Sequence, residues 1–146
     1  MAKFEVGNMW EAFESADHFI VCLSSTVSAS GNAVLNKGMA AELLQRFPEA
    51  GLASAIGGFI LKNGGNHGIF GVQASGKIGV LQTCRRFQDP TDLNCVGTGL
   101  RMLTNLANAN PDHSYHVEMP GTDVPYFLVK GPVEMCPDNI TFWSRP

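Results

Sequence analysis

Residues 18–48 read HFIVCLSSTVSASGNAVLNKGMAAELLQRFP, and this stretch decides the fold class. His18–Leu23 is a near-continuous apolar run, the pattern of a strand buried on both faces. Ser24 to Leu35 is small and polar, too loose to hold regular structure by itself. From Lys37 a helical period starts, with Met39, Ala40, Leu43, Leu44 and Phe47 on one face, and Pro48 stops it.

Working outward, Phe4–Val6 alternates like a short edge strand, and Asn8–Glu14 reads as a short helix or turn. Downstream, Leu52–Leu61 is an apolar helix or strand, ended by Asn63-Gly64-Gly65-Asn66. Gly68–Gln73 and Ile78–Thr83 read as two strands joined by a turn at Ser75-Gly76. After the turn around Asp89-Pro90, Leu93, Val96, Leu100, Leu103 and Ala107 recur at helical spacing until Pro111. His116–Met119 is another strand, broken by Pro120-Gly121. The pattern over Tyr126–Met135 predicts a helix, and Asn139–Trp143 is a terminal strand. Strands alternating with helices argue for a three-layer α/β domain with a mixed sheet flanked by helices. There is no repeat, low-complexity tract or linker, so residues 1–146 read as one domain.

Composition sets the outer bounds. Of 146 residues, 45% are hydrophobic and 16% charged, too apolar for a disordered chain and long enough for a core without staples. The formal charge of −3 gives no overall bias towards nucleic acid. No apolar run approaches a membrane span, and no basic leader precedes one, so a cytoplasmic location is expected. Cys22, Cys84, Cys95 and Cys136 lack the short C-x-x-C spacing of zinc ribbons and redox motifs. They read as reduced, mostly buried thiols, and no metal or other cofactor is called for.

Ligands of open α/β sheets bind outside the carboxyl ends of the strands, against helix N-termini. Two loops occupy that position. The first runs from the His18–Leu23 strand into Asn36-Lys37-Gly38, where free N–H groups, the helix dipole and the Lys37 charge favour an anion, and Gly38 allows close approach. A plain βα loop with a Gly at a turn has the same appearance. The second is Pro120-Gly121-Thr122-Asp123, in which Asp123 is either a base that orients water or an N-cap. His113 and His116 fall on opposite faces of a strand and cannot chelate one metal. His67, in a Gly-rich loop, is either a ligand contact or a surface residue. No Gly-x-Ser-x-Gly elbow, Walker loop or His-Glu-x-x-His motif is present.

Together these segments resemble a macro domain, the α/β fold that binds ADP-ribose, in its small bacterial or phage macro-like branch. The run Asn36–Pro48 resembles that family's Gly-rich loop entering a helix that ends at an aromatic and a proline. Gly7-Asn8-Met9-Trp10 resembles the early turn whose Asp or Asn reads the adenine. Ile78–Arg86 with Phe87–Leu93, His116–Gly121 and Pro137–Trp143 resemble the family's later strands and turns, in the same order.

The resemblance implies that the Lys37–Met39 loop holds the distal ribose and pyrophosphate, with Asn36 leading into it. It implies Asn8 at the adenine, Ser24 and Ser25 at the end of the first core strand, and Gly121, Thr122 and Asp123 around the phosphates. Some hydrolases of that branch remove ADP-ribose from proteins or nucleic acid with a strand-end Lys and an Asp in the second loop. Here Ser24 and Ser25 stand where an Asn is common, Cys84 stands where the Lys would follow Gln82-Thr83, and Val124-Pro125 replaces a Gly-x-Gly. A thiol acts as a nucleophile only if its pKa is lowered, and Pro125 has no N–H to offer a phosphate. Three expectations follow: an ADP-ribosyl hydrolase, or a phosphatase on an ADP-ribose phosphate, with Asp123 catalytic; an inactive reader or sponge of ADP-ribose or a nucleotide signal; or an interaction protein with a degenerate pocket. The implied partner is ADP-ribose or an ADP-ribosylated macromolecule, with no membrane and no general nucleic-acid binding.

Overall fold

The computed structural model describes residues 1–62, 69–71 and 77–146. Six strands form one sheet: β1 (Lys3–Val6), β2 (His18–Ser24), β3 (Ile69–Gly71), β4 (Ile78–Cys84), β5 (Tyr115–Glu118) and β6 (Ile140–Ser144). Their order is β1-β6-β5-β2-β4-β3, with every pairing parallel except that of β3 with β4. The mixed sheet expected from the alternation is present. Among the described residues four α-helices cover it: α1 (Gly38–Arg46), α2 (Leu52–Lys62), α3 (Leu93–Ala109) and α4 (Lys130–Glu134).

Strand alternation sorts the side chains into two cores. Phe19, Val21 and Leu23 of β2, with Ile78 and Val80 of β4, face α1 and α2 through Leu43, Leu52, Ile56 and Ile60. Ile20 and Leu81 point the other way, with Tyr115, Val117, Ile140 and Phe142, towards Val96, Leu100 and Leu103 of α3 and Val133 of α4. This is the three-layer arrangement. Each layer depends on complete burial of side chains such as Phe19, Leu43 and Leu103. Truncating one of these leucines to alanine costs about 2–5 kcal/mol.

The region from Asn8 to Glu14 is a single turn of 3₁₀ helix, Met9–Ala12, capped by Asn8 Oδ1 accepting from the Trp10 N–H at 3.1 Å. Its aromatics anchor it to the α1 face: Trp10 lies 4.7 Å from Phe19 between ring centroids, and Phe13 meets Phe19 edge-on at 5.0 Å. The Arg46 guanidinium covers the outer face of Trp10 at 4.1 Å.

Helix α2 settles the helix-or-strand ambiguity of Leu52–Leu61. It also gives the loose Ser24–Leu35 segment its shape. The Ala33 N–H donates to the Ala53 carbonyl at 2.8 Å, and Gly57 lets the backbone of Gly31–Ala33 lie directly on the helix. A Cβ at Gly57 would fall 2.2 Å from the Gly31 oxygen.

One expectation is corrected. Tyr126–Met135 is not one helix but a 3₁₀ turn at Tyr126–Leu128 followed by α4. Val129 divides them (φ −109°, ψ −6°), and Pro132, which lacks an N–H, is accommodated only because α4 begins just before it. Strand limits shift by a residue, β5 beginning at Tyr115 and β6 at Ile140. The Asn63–Asn66 breaker, the ends of the Gly68–Gln73 strand, the Ser75-Gly76 turn and His67 lie outside the described residues. No helix among the described residues is long and apolar enough to cross a membrane.

Candidate functional site

Because β2, β4 and β5 are parallel, their last residues, Ser24, Cys84 and Glu118, arrive at one end of the sheet. The chain leaves β2 for β4 on one side, while β5 flanks β2 on the other, so a crevice opens where the strand order reverses. It has two lobes. The first, about 290 Å³, is lined by those three residues and by Asn36, Lys37, Gly38, Thr83, Phe87, Thr91, Gly121, Thr122 and Asp123. The second, about 810 Å³, is lined by Asn8, Met39, Glu42, Trp143 and Arg145, among others. Gly38, Glu118, Met119 and Thr122 line both. The larger volume lies within the usual range of small-molecule sites, about 300–1,000 Å³, and the smaller at its lower edge.

Gly38 enters α1 with φ +60°, the left-handed region that an L side chain rarely adopts. The N-cap residue Lys37 makes no side-chain cap, so the first-turn N–H groups lack the acceptor that a capping side chain supplies. Lys37 holds the flanking position and donates from Nζ to the Phe87 carbonyl at 3.3 Å. The first loop therefore offers uncapped N–H groups and a cation on one rim, the arrangement expected from its sequence.

The second loop, Pro120–Asp123, is held by side-chain hydrogen bonds to the segment before α3. Asp123 caps no helix. Its Oδ2 accepts from the Thr91 N–H at 2.9 Å, and its Oδ1 takes the Thr91 hydroxyl. Burial, the largest single effect, works against the charge, but the Thr91 hydrogen bonds, the Asp123 backbone and the Lys37 charge together hold the carboxyl below its ordinary value of 3.8. Asp123 is an ionised carboxylate tied to the segment entering α3. Positive φ in this loop occurs only at Gly121 (φ +75°); Pro125 sits at φ −57°. The Gly-x-Gly geometry is absent, as the Val124-Pro125 sequence requires.

Of the residues singled out from sequence, Ser24, Asn36, Lys37, Gly38, Gly121, Thr122 and Asp123 meet in the first lobe, and Asn8 and Met39 in the second. Ser25 lines neither. Its hydroxyl donates to the Arg85 carbonyl at 3.2 Å and accepts from Gln82 Nε2 at 2.9 Å, a structural tie between β2 and β4. Cys84 lines the first lobe, but burial raises its thiol above 9.0 despite the nearby Lys37, so it is no activated nucleophile. The four cysteines are free thiols. His113 and His116 part company: His113 Nδ1 lies 3.1 Å from His18 Nε2, whereas His116 Nδ1 accepts from Trp143 Nε1 at 2.9 Å.

Sequence reasoning missed Glu118, Glu42, Trp143 and Arg145. Glu118 Oε1 accepts the Cys22 N–H at 2.8 Å, and burial, the largest effect, raises its carboxyl above 4.5. Glu42 accepts from Trp10 Nε1 at 3.1 Å and pairs with Arg145. The signal available was Glu118 itself, an acidic residue on a strand whose alternate positions, Tyr115 and Val117, are buried. No cluster of metal-ligating groups is present among the described residues.

No family model matches the chain, and no curated protein matches it. Solved structures do. The macrodomain of Thermus aquaticus DarG superposes with a TM-score of 0.71 at 19% identity, covering 100% of this chain and 98% of that one. The macrodomain of Mycobacterium tuberculosis DarG gives 0.68 at 16% identity, covering 98% and 97%. Thermosipho africanus DarTG in complex with ADP-ribose gives 0.67 at 13% identity, covering 99% of this chain and 42% of that longer one. At such identities the likeness is one of fold, and the fold of this chain is that of the macrodomain.

Proposed function

We propose that the two-lobed cleft binds ADP-ribose or an ADP-ribose derivative. The observation that carries this reading is the meeting of the lobes at Gly38 and Thr122, beside the uncapped N-terminus of α1. A dinucleotide-like ligand needs two lobes joined by a place for its diphosphate, and helix N–H groups suit that diphosphate. In this reading the adenosine half takes the lobe of Asn8, Met39 and Trp143. The distal ribose takes the lobe of Ser24, Asn36 and Lys37, and Gly121 and Thr122 close over the phosphates. A fold neighbour held in complex with ADP-ribose supports the choice of ligand. Titration calorimetry with ADP-ribose, beside AMP and NAD, tests it: selective micromolar binding is expected, and absence of heat with ADP-ribose refutes it.

Two features favour binding without turnover. Cys84 presents a neutral thiol where hydrolases of the resembling branch would have a Lys, and both oxygens of Asp123 are engaged by Thr91. One observation favours hydrolysis of an ADP-ribosylated macromolecule instead: Asp123 is an ionised carboxylate on the same lobe as Lys37. De-modification assays separate the two. If turnover occurs, Asp123→Asn is expected to lower it by about 10²-fold or more, and unchanged turnover removes Asp123 from the chemistry.

A further inference from the structure

Glu118 occupies the floor of the cleft at the junction of its lobes, and the sheet is interrupted to put it there. The β2–β5 pairing runs from His18↔Tyr115 to Ile20↔Val117 and then stops. Beyond it, the Cys22 N–H turns to the Glu118 carboxyl at 2.8 Å, while Cys22 Sγ donates to the Glu118 backbone carbonyl at 3.4 Å. One carboxyl oxygen is therefore fixed. The other, Oε2, points at the start of α1, 3.6 Å from the place a Cβ on Gly38 would take. An acidic side chain thus faces the same helix terminus that would receive a diphosphate.

Burial is the largest effect on that carboxyl; the Cys22 N–H and Arg145 favour its charged form and Glu42 opposes it. From β2, Cys22 is neutral, its thiol pushed well above 9.0 by burial and then by Glu118 itself. From α1, Glu42 is of like charge; from the segment after β6, Arg145 is of opposite charge, and these two pair with each other. An ionised Glu118 would repel an anion at the α1 terminus. A protonated one has a hydrogen to donate.

We propose that Glu118 is a specificity residue of the cleft: a diphosphate diester is bound together with one proton, held on Glu118 Oε2 and donated as a hydrogen bond to a ligand oxygen. The proton comes from solvent and no covalent bond changes. Burial already places this carboxyl above its ordinary value of 4.5, so the proton costs less here than on an exposed glutamate. This inference rests on the ADP-ribose reading for its natural ligand, but not for its test.

The experiment is calorimetry from about pH 5.5 to about pH 8.5, in buffer pairs of different ionisation enthalpy, with ADP-ribose and with UDP-glucose. Both are diphosphate diesters whose phosphates keep a constant charge over that range. The expected result is uptake approaching one proton and affinity falling by up to about tenfold per pH unit where uptake is complete. Glu118→Gln, which keeps an acceptor for the Cys22 N–H, should lose the uptake and bind more tightly than wild type at the alkaline end. Binding of ADP-ribose with no uptake and no pH dependence overturns the role of Glu118 and leaves the ADP-ribose reading intact. Proton-linked binding of UDP-glucose alone sustains Glu118 and refutes ADP-ribose as the ligand. No binding of either at the acid end overturns both. The proton count is made on the wild-type protein, so it stands even if Glu118→Gln fails to fold.

Discussion

Asp123 accepts two hydrogen bonds from Thr91, one from its N–H at 2.9 Å and one from its hydroxyl, and so joins the loop after β5 to the segment that enters α3. Without a Gly-x-Gly to shape it, that loop takes its position from this pair and from the turn closed by the Val124 N–H on the Gly121 carbonyl. Thr91→Val removes the hydroxyl and keeps the shape. The loss expected is about 1 kcal/mol in urea unfolding, since the bond is to a charged but exposed acceptor. The Asp123 pKa should rise towards 3.8, because the Thr91 hydroxyl bond is the largest of the effects lowering it, while the Thr91 N–H bond remains. An unchanged Asp123 titration in NMR would contradict this.

Gly38→Ala tests the entry to α1. A Cβ there would meet Glu118 Oε2 at 3.6 Å, ordinary contact, so the cost is conformational and not steric. Holding alanine at φ +60° costs about 1–2 kcal/mol, or else the first turn relaxes and its N–H groups leave the cleft. Both outcomes are read together by measuring unfolding free energy and ADP-ribose affinity; no change in either would refute the assignment.

Adjacent glycines in α2 should behave oppositely. Gly57→Ala drives a methyl into the Gly31–Ala33 backbone and is expected to destabilise by about 1–3 kcal/mol. Gly58→Ala meets nothing within 4 Å and should stabilise the helix by about 0.5–1 kcal/mol. Thermal melts of the two variants, side by side, check the sign of each.

The Cys84 thiol should react slowly. Burial raises its pKa above 9.0, and its relative exposure is 7%. Alkylation by iodoacetamide near neutral pH, followed by peptide mass spectrometry, should label Cys84 more slowly than a free cysteine. Faster labelling would reopen a nucleophilic role.

Stability should fall in mild acid through His116. Its Nδ1 accepts from Trp143 Nε1, which requires the neutral ring, and burial, then Lys3, depresses its pKa below 6.5. Below that value the unfolded chain binds a proton that the folded chain does not, so the unfolding free energy decreases as pH falls through the window between the two pKa values. His18, depressed by burial and by His113, adds in the same direction. A His116→Gln variant should show a flatter dependence of Tm on pH below about 6.5 than wild type.

Much of this protein was legible before folding. The HFIVCL run, the helical period from Met39 to Phe47 and the long period of α3 specify elements that bury one stripe or two faces, and periodicity depends only on local geometry. Those elements in that order imply a layered α/β fold, and the strand-to-helix turns of such a fold point to the end of the sheet where ligands collect. Lys37, Gly38 and Asp123 were found by that route.

What only the tertiary structure decided depends on contacts between residues distant in sequence. Sequence position alone could not show that Asp123 is tied to Thr91, that Ser25 bridges to Arg85 and Gln82 outside the cleft, or that Cys84 is too buried to ionise readily. Glu118 is the clearest case. A carboxyl on an alternating strand reads as a solvated side chain, until β2 leaves the ladder and α1 places its N-terminus opposite. Charge, burial and hydrogen bonding at that point are properties of three elements meeting, and no one of the three segments carries them by itself.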